Sequence, residues 1–208
     1  MAQNMSKLLK SGESMNDFIR EFKFNDSRDD QDRPLDGGDV APVEFSECNK
    51  QSLLDKFMEI RDTAKCILEI GVCRNNEESS TYVFLNNKKD ETFYIGVDLE
   101  DKSFLNDESK NIFTIKTTSS NFHHILDITL KKGISEFDFI FIDGYHSVNQ
   151  CIADWKFVSR LSKTGIVGLH DTSRHPGPVA LTENINLEKW HLEKCCPDDN
   201  GISFLRKK

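Results

Sequence analysis

Short apolar runs alternate with helical patterns along most of this chain. Apolar runs of strand length occur at five places: Cys66–Gly71, Thr92–Asp98, Ile112–Lys116, Phe137–Asp143 and Gly165–His170. Apolar residues at helical spacing lie before, between or after them and predict four helices: Ser52–Ile60, Ser79–Asn86, Phe122–Leu130 and Val148–Leu161. This alternation is typical of a parallel sheet with right-handed crossovers and helices on both faces.

The end of the chain has a different pattern. Alternating runs at Lys189–Cys195 and Ile202–Arg206 flank the turn-rich segment Pro197–Gly201, which predicts a terminal β-hairpin. The complete prediction is a doubly wound, mostly parallel seven-stranded α/β sheet with a C-terminal antiparallel hairpin.

The beginning of the chain predicts less structure. Residues 1–23 carry apolar side chains at the spacing of an amphipathic helix, which is a candidate arm for a homodimer. Residues 25–39 are rich in aspartate and include Pro34 and a glycine pair, and they predict a linker or a lid. We therefore divide the chain into an N-terminal segment, 1–47, and one globular domain, 48–208.

Composition narrows the choice of partners. The formal net charge of -8 disfavours a general affinity for nucleic acid backbones. No run has the length of a membrane span or of the apolar part of a signal peptide. The six cysteines show no ligand-like spacing, so reduced thiols are expected, including the neighbours Cys195 and Cys196. A cytoplasmic protein with a small-molecule partner is the resulting expectation, with no nucleic acid and no membrane.

Two predicted strands end in residues that suit a nucleotide. The first ends in Glu69 and Gly71, where the backbone is expected to turn sharply, and the second ends in Asp98. In open α/β sheets ligands bind outside the carboxyl ends of the strands, and an acid after the second strand is placed for ribose hydroxyls.

Motifs later in the chain are more specific. These are Phe139–His146, which contains Asp-Gly-Tyr-His, then Gly165–Thr172, which ends in His-Asp-Thr, and His175–Pro178. With the Glu-x-Gly and the hairpin, they make the chain from Ser52 onward resemble class I S-adenosylmethionine-dependent methyltransferases of the sugar or macrolide O-methyltransferase-like group. The resemblance implies cofactor contacts from eight residues: Glu69, Gly71 and Cys73 at the methionine end, Asp98 at the ribose, Leu99, Thr118 and Ser119 at the adenine, and Asp143 beside the sulfonium.

The catalytic assignment keeps two alternatives. Three histidines follow the ends of the fourth and fifth strands, and of these we favour His146 over His170 as the general base, with Asp143 beside the reacting atoms. Alternatively, Asp143, His170 and Asp171 hold a divalent ion, as carboxylates at these strand ends do in some relatives. Histidine is a poor ligand for Mg²⁺, so His170 favours a softer metal or none. The His175–Pro178 segment is interpreted as a rigid loop that either contacts substrate or only shapes the backbone.

The leading function is therefore O-methylation of a hydroxyl on a small acceptor such as a sugar or a glycosylated metabolite. The rival is a non-catalytic binding or scaffold domain, because the residues after Gly71 lack the second glycine that the resemblance leads one to expect near Asn76. A nicotinamide-dependent oxidoreductase is disfavoured, since the chain has no G-x-G-x-x-G motif.

Overall fold

Seven strands form one sheet in the part of the chain that the structure, a computed structural model, describes: residues 45–72 and 79–208. The strands are β1 Cys66–Ile70, β2 Phe93–Asp98, β3 Ile112–Lys116, β4 Phe137–Ile142, β5 Leu161–His170, β6 Trp190–Cys195 and β7 Ile202–Lys207. Their order is β3-β2-β1-β4-β5-β7-β6, and β7 runs antiparallel to both of its neighbours. The predicted fold class is confirmed.

Five α-helices accompany the sheet in the described ranges: α1 Glu47–Met58, α2 Ser80–Asn87, α3 Phe122–Lys131, α4 Val148–Trp155 and α5 Pro176–Asn184. Apolar side chains of α1 and α2 share a cluster with one face of the sheet, and those of α3, α4 and α5 share a cluster with the other. Neighbouring residues of a central strand, such as Phe139 and Ile140, enter opposite clusters. Both faces are covered, which is why the strands read as continuous apolar runs.

Three predicted boundaries need correction. The first helix begins at Glu47, because Ser46 caps it by accepting a hydrogen bond from the Asn49 amide. Helix α4 ends at Trp155, where a 3₁₀ turn over Lys156–Arg160 leads into a strand that begins earlier than predicted.

None of the helices in the described ranges is long and apolar enough to cross a membrane.

Pro176 to Pro178 form the start of a helix, not part of the rigid loop that we predicted for His175–Pro178. His175 precedes the helix α5, whose first residue is Pro176. Proline is tolerated there because the first helical amide needs no partner within the helix. The prolines and the glycine masked the helical pattern in the sequence.

The expectation of reduced cysteines is wrong for two of them. Cys48, in the first turn of α1, forms a disulfide with Cys196 in the turn between β6 and β7, with 6.1 Å between their α-carbons. Cys195 stays a free, half-buried thiol. The two cysteines are 148 residues apart, so no local pattern in the sequence indicated this pair.

The predicted N-terminal helix and linker, residues 1–44, lie outside the described ranges, and the division at residue 47 remains a prediction.

The disulfide generates a stability prediction. A bridge that closes a long loop restricts the unfolded chain and is worth about 2–4 kcal/mol. We expect Cys48→Ser to lower the free energy of unfolding in denaturant by an amount in that range, and Cys195→Ser, its neighbouring control, to change it little. Equal stability of the two variants under oxidising conditions would contradict the bridge, and thiol titration of the unfolded chain reports its presence separately.

Candidate active site

Backbone hydrogen bonds join the tips of β1, β2 and β4. The Gly71 amide donates to the Val97 carbonyl at 2.9 Å, and the Asp143 amide donates to the Ile70 carbonyl at 2.8 Å. The Val72 amide donates to Oδ2 of Asp98 at 2.8 Å. Of the predicted site residues, Gly71, Asp98 and Asp143 therefore meet at one edge of the sheet.

Gly71 makes this junction sterically possible. Its φ is +85°, a conformation that residues with a Cβ rarely adopt, and a Cβ there would lie 2.0 Å from the Asp143 carbonyl oxygen. The sharp turn predicted from the Glu-x-Gly is confirmed. Cys73 lies outside the described residues, so its predicted cofactor contact remains a prediction.

Glu69 lies on the same strand but inside the protein. Its fully buried carboxylate accepts hydrogen bonds from Ser80 Oγ at 2.5 Å, from Thr81 Oγ1 at 2.8 Å and from the Tyr94 hydroxyl. Burial raises the pKa of Glu69 to about 7, and these hydrogen bonds oppose the rise. The contacts fasten the start of α2 to β1. They hold Glu69 between β1, β2 and the start of α2, and its contact with a cofactor remains a prediction.

This pKa has a measurable consequence. A carboxyl whose pKa is raised from 4.5 to about 7 keeps its proton in the folded state after the unfolded chain has released it. The free energy of unfolding therefore falls as pH rises between these values, by about 3 kcal/mol in all, and it stays reduced above them.

We expect Glu69→Gln to flatten this pH dependence in urea titrations at several pH values. The control is Glu91→Gln, which changes an exposed glutamate and should keep the wild-type slope. The decisive range is pH 6 to 7, above the pKa of about 6 that burial gives Asp154, and an unchanged slope there in Glu69→Gln would show that Glu69 is not the titrating group.

Asp98 and Leu99 lie at the open end of β2. The Asp98 carboxylate also accepts from the Glu100 amide at 2.7 Å and is half-buried, whereas Leu99 is 70% exposed. An acid held by backbone amides beside an exposed apolar side chain suits a ribose and an adenine ring.

Thr118 and Ser119 lie in the loop after β3. Ser119 is buried, and its Oγ accepts a hydrogen bond from the side-chain nitrogen Nε2 of Gln150 at 2.8 Å. The same nitrogen donates to Asp154 Oδ1 at 2.8 Å. Burial raises the pKa of Asp154 to about 6, although the hydrogen bonds from Ser119 and Gln150 act to lower this pKa. Sequence reasoning missed Gln150 and Asp154, although their spacing of four places both on one side of α4.

Five titratable side chains, four buried and Asp143 half-buried, form a cluster where β4 and β5 end, and we call it the histidine–aspartate cluster: Asp143, His146, His170, Asp171 and His175. His146 Nε2 lies 3.4 Å from Asp143 Oδ1 and 3.3 Å from Asp171 Oδ2. The rings of His146 and His175 are 4.7 Å apart between centroids. The structure thus unites the predicted catalytic and metal residues and adds His175.

The charge of Asp143 is stabilised by its neighbours. Burial acts to raise the pKa of this carboxyl, but the charges and hydrogen bonds of His170 and His146 outweigh burial and hold the pKa well below its ordinary value. A carboxylate that stays ionised at this position can attract a cation or a cationic imidazolium.

His170 is held by a residue that sequence reasoning also missed. The Asn49 side-chain nitrogen lies 3.1 Å from His170 Nε2 and donates to the Asp199 carbonyl at 3.3 Å, so it faces His170 as a donor. When the ring carries a single proton, Nε2 accepts and the proton lies on Nδ1, 3.0 Å from Asp143 Oδ1. Burial acts to lower the pKa of His170, but the charges of Asp143 and Asp171 outweigh burial and raise the pKa above its ordinary value. A second proton, on Nε2, requires the Asn49 amide to turn.

The His-Pro-Gly-Pro motif holds His175 in the cluster. The Gly177 amide donates to the His146 carbonyl at 2.8 Å, and a Cβ on Gly177 would lie 2.5 Å from the Ser147 carbonyl oxygen. Only glycine lets α5 approach α4 so closely. Asp171 takes a left-handed conformation, φ 57°, which is uncommon for a residue with a side chain and recurs at functional sites.

The fold has known counterparts, although no family model and no curated protein matches the sequence. It is similar to MycE, a methyltransferase of mycinamycin biosynthesis solved with Mg, SAH and mycinamycin VI, with a TM-score of 0.57 and 16% identity. The match covers 76% of this chain and 48% of MycE, so the chain spans about half the length of that protein.

Two shorter proteins are similar over more of their own length. CalS11, a calicheamicin methyltransferase, matches with a TM-score of 0.56 and 14% identity, over 78% of this chain and 80% of that one. The SAH-bound methyltransferase PaMTH1 of Podospora anserina matches with a TM-score of 0.52 and 16% identity, over 78% and 79%. The chain has the fold of these methyltransferases.

Proposed function

We propose that this protein is an S-adenosylmethionine-dependent methyltransferase that methylates a hydroxyl on a small acceptor, such as a sugar or a glycosylated metabolite. The observation that carries the proposal is the histidine–aspartate cluster, which lies at the carboxyl edge of the sheet beside the Gly71 turn. The names of the similar proteins support the acceptor class, since CalS11 is named a TDP-rhamnose 3'-O-methyltransferase and MycE was solved with mycinamycin VI.

The residues present fit the cofactor. Both carboxylate oxygens of Asp98 accept hydrogen bonds from backbone amides, one of them from Val72 beside the Gly71 turn, and the apolar side chain of Leu99 is exposed next to Asp98. In this proposal Asp98 holds the ribose, Leu99, Thr118 and Ser119 border the adenine, and Gly71, Cys73 and Asp143, supported by Glu69, border the methionine end.

S-adenosylmethionine supplies an electrophilic methyl group when it is bound, and the chain must orient the acceptor and take its hydroxyl proton. His146 is the best-placed base, because its Nε2 lies between Asp143 and Asp171, whose charges would stabilise the imidazolium that forms. His170 is not the base in this proposal, because its ring nitrogens face Asn49 and Asp143. Its role is to orient Asp143.

A metal, a dimer and the identity of the acceptor belong to the same proposal. A divalent metal at Asp143, His170 and Asp171 would need a ring nitrogen of His170 that now faces Asn49 or Asp143. A homodimer is proposed only from the sequence, and the small-molecule acceptor is proposed without its identity. The expected cytoplasmic location relied on reduced cysteines, and the Cys48–Cys196 disulfide argues against it.

Cofactor binding can be tested at Asp98. Asp98→Asn keeps one acceptor oxygen but removes the charge, and a hydrogen bond to a charged group is worth about 1.5–3 kcal/mol. We expect the Kd for S-adenosylhomocysteine, measured by isothermal titration, to rise about 10- to 100-fold.

The matched control is Asp101→Asn, an exposed carboxylate three residues later, which should bind like the wild type. Unchanged affinity in Asp98→Asn would refute this pocket. A wild-type protein that binds no S-adenosylhomocysteine would favour the non-catalytic scaffold instead.

The general base can be tested at His146. We expect His146→Gln to lower kcat about 10²- to 10⁴-fold, the usual contribution of a positioned base, and to leave the affinity for S-adenosylhomocysteine unchanged. The measurement is release of S-adenosylhomocysteine with a panel of nucleotide sugars and glycosylated metabolites. His124→Gln, an exposed histidine on α3, is the control, and a His146→Gln variant as active as this control would exclude His146 as the base.

A further inference from the structure

We propose that His146, Asp171 and His175 form a binding site for a divalent transition metal ion, with Zn²⁺ as the preferred ion. This donor set differs from the Asp143, His170 and Asp171 set expected from the sequence. The proposal for binding stands on the geometry of the cluster, and only its effect on methyl transfer rests on the proposed function.

The spacing of the donor atoms suits a small coordination sphere. Bonds of about 2.0–2.1 Å to a tetrahedral Zn²⁺ place adjacent donor atoms about 3.3–3.4 Å apart. His146 Nε2 lies 3.3 Å from Asp171 Oδ2, and His175 Nε2 lies 3.9 Å from the same oxygen. One donor atom from each of the three residues lies within 4.8 Å of the others. Asp143 Oδ1 lies 3.4 Å from His146 Nε2 and adds a negative charge beside the three donor atoms.

The donor types select the metal. Two imidazoles and a carboxylate match the preference of Zn²⁺ and related ions, whereas Mg²⁺ prefers about six oxygen ligands and keeps several waters. His170 is unsuited to the role, because Asn49 donates to its Nε2 and its Nδ1 proton points at Asp143. His175 can replace it, since it approaches Asp171 from the start of α5.

The three side chains are held in place before any ion binds. His146, Asp171 and His175 are 8%, 6% and 8% exposed. The His175 amide donates to the Asp171 carbonyl at 3.1 Å, and the Gly177 amide ties the same segment to the His146 carbonyl. Oδ1 of Asp171 is buried and lies 3.6 Å from His170 Nδ1, too far for a hydrogen bond. A cation bound at Asp171 would offset the cost of burying this carboxylate.

Occupancy of this site would control the proposed reaction. An ion on Nε2 of His146 takes the lone pair that the base needs, so Zn²⁺ and the acceptor proton compete for one nitrogen. We therefore expect Zn²⁺ to inhibit methyl transfer while leaving the binding of S-adenosylhomocysteine intact.

The test uses the full chain after chelator treatment and dialysis. Isothermal titration with ZnCl₂ and with MgCl₂ measures the two affinities, and titration with CoCl₂ gives the visible absorption of cobalt bound by nitrogen ligands. We expect one tight Zn²⁺ site, weaker Mg²⁺ binding, and a cobalt spectrum that Zn²⁺ abolishes by displacement.

His175→Ala should weaken Zn²⁺ at least about tenfold, the lower end of the loss caused even by removing an outer partner of a metal ligand. His191→Ala, which removes an exposed histidine on β6, is the control and should keep wild-type affinity. Circular dichroism checks that each variant is folded, and Asp171→Asn provides a second variant if His175→Ala is not.

Two results would overturn the site: equal Zn²⁺ affinity in His175→Ala and His191→Ala, or Mg²⁺ binding tighter than Zn²⁺. Titration of S-adenosylhomocysteine into the same samples separates this proposal from the proposed function. If the protein binds Zn²⁺ through His175 but does not bind S-adenosylhomocysteine, only the proposed methyltransferase function is refuted. If it binds S-adenosylhomocysteine but shows no His175-dependent Zn²⁺ binding, only the metal site is refuted.

Discussion

The arrangement of the candidate site depends on the close contact between the backbones of Gly71 and Asp143. No side chain fits between them, since a Cβ on Gly71 would overlap the Asp143 carbonyl. The contact fixes where β1 and β4 end relative to each other, and the Val72 amide extends the junction to Asp98. The position of Asp143 in turn sets those of His146 and His170, which both reach its carboxylate.

Buried polar groups are concentrated around this junction. Burying a carboxyl or an imidazole is costly unless it finds partners, and here the partners come from different elements. Three hydroxyls from α2 and β2 surround Glu69, and residues of α4 and the loop after β3 surround Asp154. The pKa values of both carboxyls are raised by burial. A protein selected only for stability has little reason to keep such groups together, which is why they support a functional interpretation.

The first turn of α1 links the covalent structure to the cluster. Cys48 is bound to the turn after β6, and Asn49, the next residue, donates both to the Asp199 carbonyl in that turn and to His170. The ring of Phe45 lies 4.9 Å from the ring of His170. The beginning of the described chain thus covers one side of the site, and Asn49 contacts a histidine more than a hundred residues away.

The sequence by itself determined the strands, their mostly parallel direction and the acids at the strand ends, because those features follow from local periodicity and from the rule that carboxyl ends share one edge. Tertiary structure decided the rest. The helical nature of the His-Pro-Gly-Pro segment depends on packing against α4, and the disulfide depends on a contact between distant turns. The contact of His175 with Asp171 and that of His170 with Asn49 likewise depend on how the elements pack together. Periodicity in the sequence predicts on which face of a helix or strand a residue lies, but only the packing of the elements decides which other residues it contacts there.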